Sequence, residues 1–345
     1  MKSLVRDYQL AARHCLPEGT FAYLAGGAEQ ENVLRRNQQA LQSLTLAPRV
    51  LRDVSTVSTG VDFLGHQLRT PLLLAPVGSL HLIHPEAASG VAAAARRRGI
   101  AYAIGSALPD AEQHVAEGGD CGWFQLYING DAQWLQEQCR AAQRRGYSGV
   151  ILTVDVPLFP VRRRDAASAN HAARRSQQIP PLFRRNFTWQ GLQQLIAACP
   201  DIPFMVKGIQ DQRDAQLACE AGVAAIYLSN HGGRQWDHGP AAIDLLAPVV
   251  RRVGGATRII VDGGFASGSD VVKALALGAD LVAIGRGYLY PYAAGGEALL
   301  TAWLEETEQE MITAMTLLGA ADCAALKQIH HQALPVAEET IRWPD

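Results

Sequence analysis

Eight short apolar runs alternate with longer amphipathic stretches, and this rhythm constrains the fold of the chain more than any other feature. The runs are Leu72–Ala75, Ala101–Ile104, Trp123–Leu126, Val150–Val154, Phe204–Val206, Ala224–Leu228, Ile259–Val261 and Leu281–Ile284. Each is too short for a helix and apolar at nearly every position, as a strand buried on both faces of a parallel sheet must be. Between them Pro85–Arg98, Ala132–Arg145, Gln212–Ala221 and Ser269–Leu277 show helical spacing. Gly99, Gly146, Gly222 and Gly278 follow these stretches, where a left-handed residue closes a helix. Eight such units predict an α/β chain folded as a (β/α)8 TIM barrel. A doubly wound open sheet is the alternative, but it wants a GxGxxG turn after the first strand, and none is present.

The barrel units leave two flanks. Leu4, Val5, Tyr8, Ala11 and Ala12 recur at helical spacing, as do residues from Glu29 to Leu44. Residues 1–345 therefore read as one domain, with helices in 1–50, barrel strands and a phosphate site in 70–287, and helices in 288–345. Val161–Asn186 breaks the rhythm after the fourth run, and it is rich in arginine. An insertion there lies on the catalytic face of a barrel, which predicts a short lid over the substrate. The alternative for most of its arginines is a solvated loop.

A formal charge of −2 gives no reason to invoke nucleic acid or a strongly acidic partner. The start of the chain is charged where a signal peptide needs an apolar stretch, and no run approaches the roughly 18 apolar residues of a membrane span. Six cysteines occur without a CxxC pair. That pattern fits reduced thiols better than disulfides or metal ligands, so we expect a cytoplasmic protein with no membrane contact and no metal.

In a barrel the reactive groups come from the C-terminal ends of the strands. Here those ends read Pro76-Val77-Gly78, Gly105-Ser106-Ala107, Gln125-Leu126-Tyr127, Thr153-Val154-Asp155, Lys207-Gly208, Ser229-Asn230-His231-Gly232-Gly233-Arg234-Gln235, Asp262-Gly263-Gly264 and Gly285-Arg286-Gly287. His231 can take a proton and Arg234 can grip a carboxylate by two parallel hydrogen bonds. Alone, each group has a bland explanation: Asp155 as a helix cap, Lys207 as a strand-end cation, Asp262-Gly263-Gly264 as a tight turn. Together they bring a base, its carboxylate, two cations and a glycine-lined anion cradle to one rim.

These motifs resemble the FMN-dependent 2-hydroxy-acid oxidases and dehydrogenases, the family of glycolate oxidase, lactate oxidase and mandelate dehydrogenase. The resemblance spans nearly the whole chain, from Tyr23 and Gly27-Ala28 to Ile284-Gly285-Arg286, with Ser229–Gln235 its most specific segment. It implies that FMN accepts electrons from an (S)-2-hydroxy acid, which leaves as the 2-oxo acid, and that O2 or another acceptor reoxidises the flavin. It implies His231 as base, Asp155 as its partner, and Tyr23, Tyr127, Arg162 and Arg234 around the substrate. Lys207 would face the flavin. Pro76, Val77, Gly78, Gly105, Gln125, Thr153, Ser229, Asp262, Gly263, Gly264, Gly285 and Arg286 would complete the cofactor site. The family also implies a homo-oligomer, a tetramer or larger.

Departures from the family pattern raise further expectations. Ala266 stands where the family carries a phosphate-binding arginine, and Val77 where several members carry threonine. Ala107 replaces the tryptophan of glycolate oxidases, which predicts room for more than a two-carbon acid. Two other functions stay open at this point: the same chemistry on a larger hydroxyacyl, peptide or carrier-bound substrate, and a flavin-binding protein without turnover.

Overall fold

The computed structural model describes residues 4–108, 121–164 and 182–333. Eight strands close into one parallel barrel: Leu72–Leu74, Ala101–Gly105, Gly122–Tyr127, Gly149–Thr153, Phe204–Ile209, Ala225–Leu228, Arg258–Val261 and Leu281–Ile284. Each pairs with its neighbours in chain order, and the last returns to the first through Val282–Leu72, Ala283–Leu73 and Ile284–Leu74. All eight apolar runs are strands, with ends displaced by a few residues at most. The four predicted helices appear as Ala87–Arg98, Ala132–Arg144, Gln212–Glu220 and Gly268–Ala276. Gly99, Gly146, Gly222 and Gly278 all adopt the positive φ that their closing role requires.

Alternation along the strands builds two layers of core. Leu73, Ala101, Ala103, Trp123, Ile151, Met205, Ala225, Tyr227, Ile260, Leu281 and Ala283 fill the interior. Their neighbours, among them Leu72, Leu74, Ile104, Phe124, Leu152, Val206, Ile226, Val261 and Ile284, face the surrounding helices. A hairpin of Val61–Phe63 and His66–Leu68 adds Phe63 and Leu68 to the interior cluster. The Phe63 ring meets Trp123 edge-on at 6.5 Å. Burial of each such large side chain contributes roughly 1.5–3 kcal/mol.

The flanks differ in part from expectation. Before the barrel lie three helices, Leu4–Cys15, Glu18–Ala25 and Asn32–Ser43. After it, the helix Arg286–Leu318 bends at Gly295–Gly296, and Cys323–Leu326 follows. His331–Ala333 is then a strand rather than a helix, paired antiparallel with Leu44–Leu46. Three residues of each segment satisfy one another's backbone groups, which no helix of that length could do as well. The middle of the predicted lid, residues 165–181, lies outside the described residues. Beyond it, Phe183–Asn186 forms one helical turn. No helix among the described residues is long and apolar enough to cross a membrane.

Candidate active site

The alternation that fills the barrel with apolar groups continues past the last apolar layer. Two residues on from Met205 is Lys207, and two on from Ile260 is Asp262. Trp123 leads to Gln125 and Tyr127, Ile151 to Thr153 and Asp155, and Tyr227 to Ser229 and His231. Polar groups therefore converge at the C-terminal mouth because the strands keep their period of two.

His231 Nδ1 lies 3.0 Å from Asp155 Oδ1 and 3.2 Å from Oδ2. Asp155 is thus not a helix cap; its side chain is only 4% exposed and faces the imidazole. Burial pushes the Asp155 carboxyl up, but His231 and Lys207 outweigh that and hold it below its ordinary value. Burial lowers the His231 pKa, with Lys207 and Arg162 adding to the effect and Asp155 opposing it. The imidazole is therefore neutral near pH 7. With Nδ1–H donated to the carboxylate, the lone pair sits on Nε2.

The backbone holds this pair under strain. His231 itself has φ 56°, a left-handed conformation that costs a β-carbon-bearing residue of order 1–3 kcal/mol. Its N–H donates to Ser229 Oγ at 3.0 Å. Gly208, at φ 112° beside a register shift between Lys207 and Ile209, makes room for Asp155. A β-carbon there would come within 2.5 Å of Asp155 Cβ. Gly208→Ala is accordingly expected to destabilise the protein by about 2–4 kcal/mol through strain and overpacking. Thermal unfolding would measure this, and loss of less than about 1 kcal/mol would refute it.

Lys207 Nζ donates to Ser229 Oγ at 2.6 Å, pairs with Asp262 Oδ2 at 3.0 Å and lies 4.9 Å from the Tyr227 ring centroid. Across the mouth, the Tyr127 hydroxyl is pushed up to about 12 by burial and by Asp155, so it stays protonated. Tyr23 OH accepts from Ser79 Oγ at 3.3 Å.

The arginines grip the backbone as well as the cavity. Arg162 donates from Nε and Nη2 to Arg234 O at 3.1 and 2.9 Å. Arg234 Nη1 donates to Tyr23 O and Gly26 O at 2.7 and 2.8 Å, and its guanidinium lies 4.6 Å from the Tyr23 ring centroid. Arg286, expected as a phosphate cation, donates to Leu24 O, Gly232 O and Gly26 O at 2.9, 2.8 and 2.6 Å. Burial, with Arg234 nearby, lowers its pKa to about 10.

One cavity of about 1030 Å³ opens at this mouth. Tyr23, Pro76, Val77, Gly78, Ala107, Tyr127, Arg162, Lys207, His231, Arg234, Asp262, Gly263, Gly264, Gly285 and Arg286 all line it. Four expected cofactor contacts do not. Gly105, Gln125, Thr153 and Ser229 sit one layer below, where Gln125 Nε2 donates to Thr153 Oγ1 at 2.9 Å and Ser229 supports Lys207. Gly105 leaves space for Gln125, whose Oε1 would lie 3.0 Å from a β-carbon at 105.

FMN fits the residues present. The cavity is large enough for a flavin and a small acid together. Ser106 Oγ on its wall is buried without a partner among the described residues, and suits a polar ring edge. Gly285 faces open space, with nothing nearer to an added β-carbon than Ala75 Cβ at 4.0 Å. It opens the helix Arg286–Leu318, whose N-terminal N–H groups and dipole favour a phosphate.

Several supporting residues escaped the sequence reading. Asn230 and Asn37 exchange amide hydrogen bonds at 2.8 and 3.0 Å. Asp237, fully buried, accepts from Gln30 N, Asn32 Nδ2 and Val33 N, each at 3.0 Å. It caps the helix Asn32–Ser43, whose own N-cap Glu31 makes no cap bond. Asn230 lies within the Ser229–Gln235 segment, though without an assigned role, and Asp237 two residues beyond it; nothing in the sequence pointed to Asn37.

The barrel, the His–carboxylate pair and the phosphate cradle define a flavin-dependent oxidoreductase acting on a CH–OH group, and the chain belongs to the FMN-dependent dehydrogenase family, whose profile matches residues 12–333. It is 36% identical to the 4-hydroxymandelate oxidase of Amycolatopsis orientalis, across 94% of this chain and 96% of that one. It is 34% identical to the L-lactate oxidase of Nostoc sp. (strain PCC 7120), across 94% and 95%. A crystal structure of mandelate oxidase superposes with a TM-score of 0.88 at 34% identity, covering 95% of this chain and 98% of that one.

Proposed function

We propose that this protein oxidises an (S)-2-hydroxy acid larger than glycolate to the 2-oxo acid, with O2 as the final electron acceptor. The His231–Asp155 pair on the wall of a cavity fit for FMN carries the reading. Oxidising a CH–OH group removes two protons and two electrons, and FMN, when bound, accepts the electrons. His231 Nε2 takes a proton from the reacting carbon or its hydroxyl. Asp155 stabilises the imidazolium that forms and fixes the ring's tautomer.

Tyr127, protonated at all working pH values, donates to the substrate oxygen. Arg162, Arg234 and Tyr23 receive the substrate carboxylate, the two guanidiniums being held rigid by the carbonyls they grip. Lys207 presents positive charge to the reduced ring, with Ser229 and Asp262 holding it in place. Because the neutral imidazole is the working form, kcat/KM should rise with pH through one ionisation below 6.5 and remain level above it. A limb above 6.5 would refute this assignment.

The backbone of Gly263, Gly264 and Gly285 and the helix dipole would hold the phosphate end of FMN. Ala266 leaves one cation fewer than the family pattern, although Arg35 lines the same cavity. Ala266→Arg should therefore tighten FMN binding about tenfold, as expected for one added charge-assisted hydrogen bond. Fluorescence titration of the stripped protein with FMN would show it. Unchanged affinity would mean that the phosphate does not approach residue 266.

The relatives named above are oxidases, and the first acts on an aryl hydroxy acid, which supports O2 as acceptor and a side-chain pocket beside Ala107. The near-neutral charge and free cysteines favour a cytoplasmic protein, and the family pattern a homo-oligomer. The test is anaerobic: an (S)-2-hydroxy acid should bleach the bound flavin, its (R) enantiomer should not, and admitted air should restore the colour with release of hydrogen peroxide. If no acid of a broad panel bleaches the flavin, the function is wrong.

A further inference from the structure

Arg184 is a cation on the cavity wall for which the chemistry above has no task. It comes from the turn Phe183–Asn186, beyond the fourth strand. Its Nε and Nη2 both donate to Asn129 Oδ1, at 2.9 and 2.7 Å. The guanidinium lies 4.5 Å from the Tyr127 ring centroid and 5.8 Å from that of Phe159. These contacts fix its plane. Nη1 is left buried, with no acceptor within hydrogen-bonding reach among the described residues.

A buried, charged donor without an acceptor is costly and rare, and the guanidinium that carries it belongs to a residue lining a cavity that admits a ligand. Among the described residues it has no ion-pair partner: Tyr127 beneath it is neutral and Asn129 is an amide. Arg162, which belongs to the end of the cavity assigned to the substrate carboxylate, also lies 5.8 Å from the Phe159 centroid. The two guanidiniums are therefore no more than twice that distance apart, a separation that a short chain bearing an anion at each end can span.

We propose that Arg184 is the anchor of a distal anion subsite, and that the preferred substrate is a short (S)-2-hydroxy diacid whose second carboxylate pairs with its guanidinium. This subsite presupposes the hydroxy-acid chemistry proposed above. A guanidinium set against aromatic rings and tied to Asn129 suits a carboxylate better than a mobile lysine would. Truncating it would leave the diacid's far charge desolvated against Tyr127 and Phe159.

The experiment compares (S)-2-hydroxyglutarate with (S)-2-hydroxyhexanoate on the FMN-loaded wild type, Arg184→Met and Arg184→Lys. Anaerobic flavin bleaching and steady-state kinetics are the readouts. The wild type should favour the diacid in kcat/KM. Arg184→Met should lower the diacid's kcat/KM at least tenfold relative to the monoacid's, through KM rather than kcat, and Arg184→Lys should recover part of that loss. Binding of 2-oxoglutarate, followed by its perturbation of the flavin spectrum, should weaken in parallel. A wild type that bleaches with the monoacid but shows no preference for the diacid overturns the subsite while leaving the hydroxy-acid function standing. Equal losses for both acids in Arg184→Met would make Arg184 only a rivet for its turn. Bleaching by neither acid, nor by any other 2-hydroxy acid, would overturn both.

Discussion

His231→Gln retains FMN but reduces it about 10³-fold more slowly when an (S)-2-hydroxy acid is added anaerobically. Glutamine keeps a backbone N–H for Ser229 and a side chain of similar reach, yet it has no basic nitrogen. Position 231 is already left-handed at φ 56°, so the substitution asks nothing new of the backbone. The loss should fall on the reductive half-reaction alone. Reoxidation of chemically reduced flavin by air should proceed at close to its original rate, since no proton need be taken from a carbon in that step. A fall of less than tenfold in bleaching would remove His231 from the chemistry.

Asp155→Asn should cut kcat/KM by about 100-fold and shift the acid limb of its pH profile to lower pH. The sign follows from the charges around the imidazole. Burial, Lys207 and Arg162 all depress the His231 pKa, and Asp155 is the group that opposes them. Removing the carboxylate's charge leaves the depressing influences unopposed, so the imidazole binds its proton less well. The plateau falls because the imidazolium formed during turnover loses its counter-charge. A variant damaged only in its folding would lose activity without moving the limb. A shift to higher pH would contradict the arrangement.

Much of this was written in the order of residues. Short apolar runs spaced by amphipathic stretches can bury themselves efficiently only as strands ringed by helices, and all eight became barrel strands. The polar residues that follow most of the runs were legible for the same reason. A strand delivers its side chains at a period of two, so a polar group just beyond the last buried one must emerge at the mouth. Tyr127, Lys207, His231 and Asp262 were placed in this way, and all line the cavity.

Contacts between distant segments were not legible, because spacing along the chain carries no information about them. The Asn37–Asn230 amide pair joins residues whose separation in sequence has no periodic meaning. Gly208 could be read as a turn residue, but only the folded chain shows that its missing β-carbon is the space occupied by Asp155. Arg286 is a further case: the resemblance implied a phosphate contact, but the carbonyls of Leu24, Gly26 and Gly232 that it grips come from segments no local pattern links to it. Arg184 is one of many arginines in a basic insertion, and its place over Tyr127 and beside Asn129 follows from a turn that no sequence pattern reveals.

The sequence by itself determined the barrel, the family and the rim on which the chemistry sits, since hydrophobic periodicity and strand geometry are local rules that each segment obeys alone. Tertiary structure alone decided which rim groups face the cavity, which brace others from below, and which guanidinium nitrogens are left without an acceptor. Those outcomes depend on distance and burial between segments that only closure of the barrel brings together.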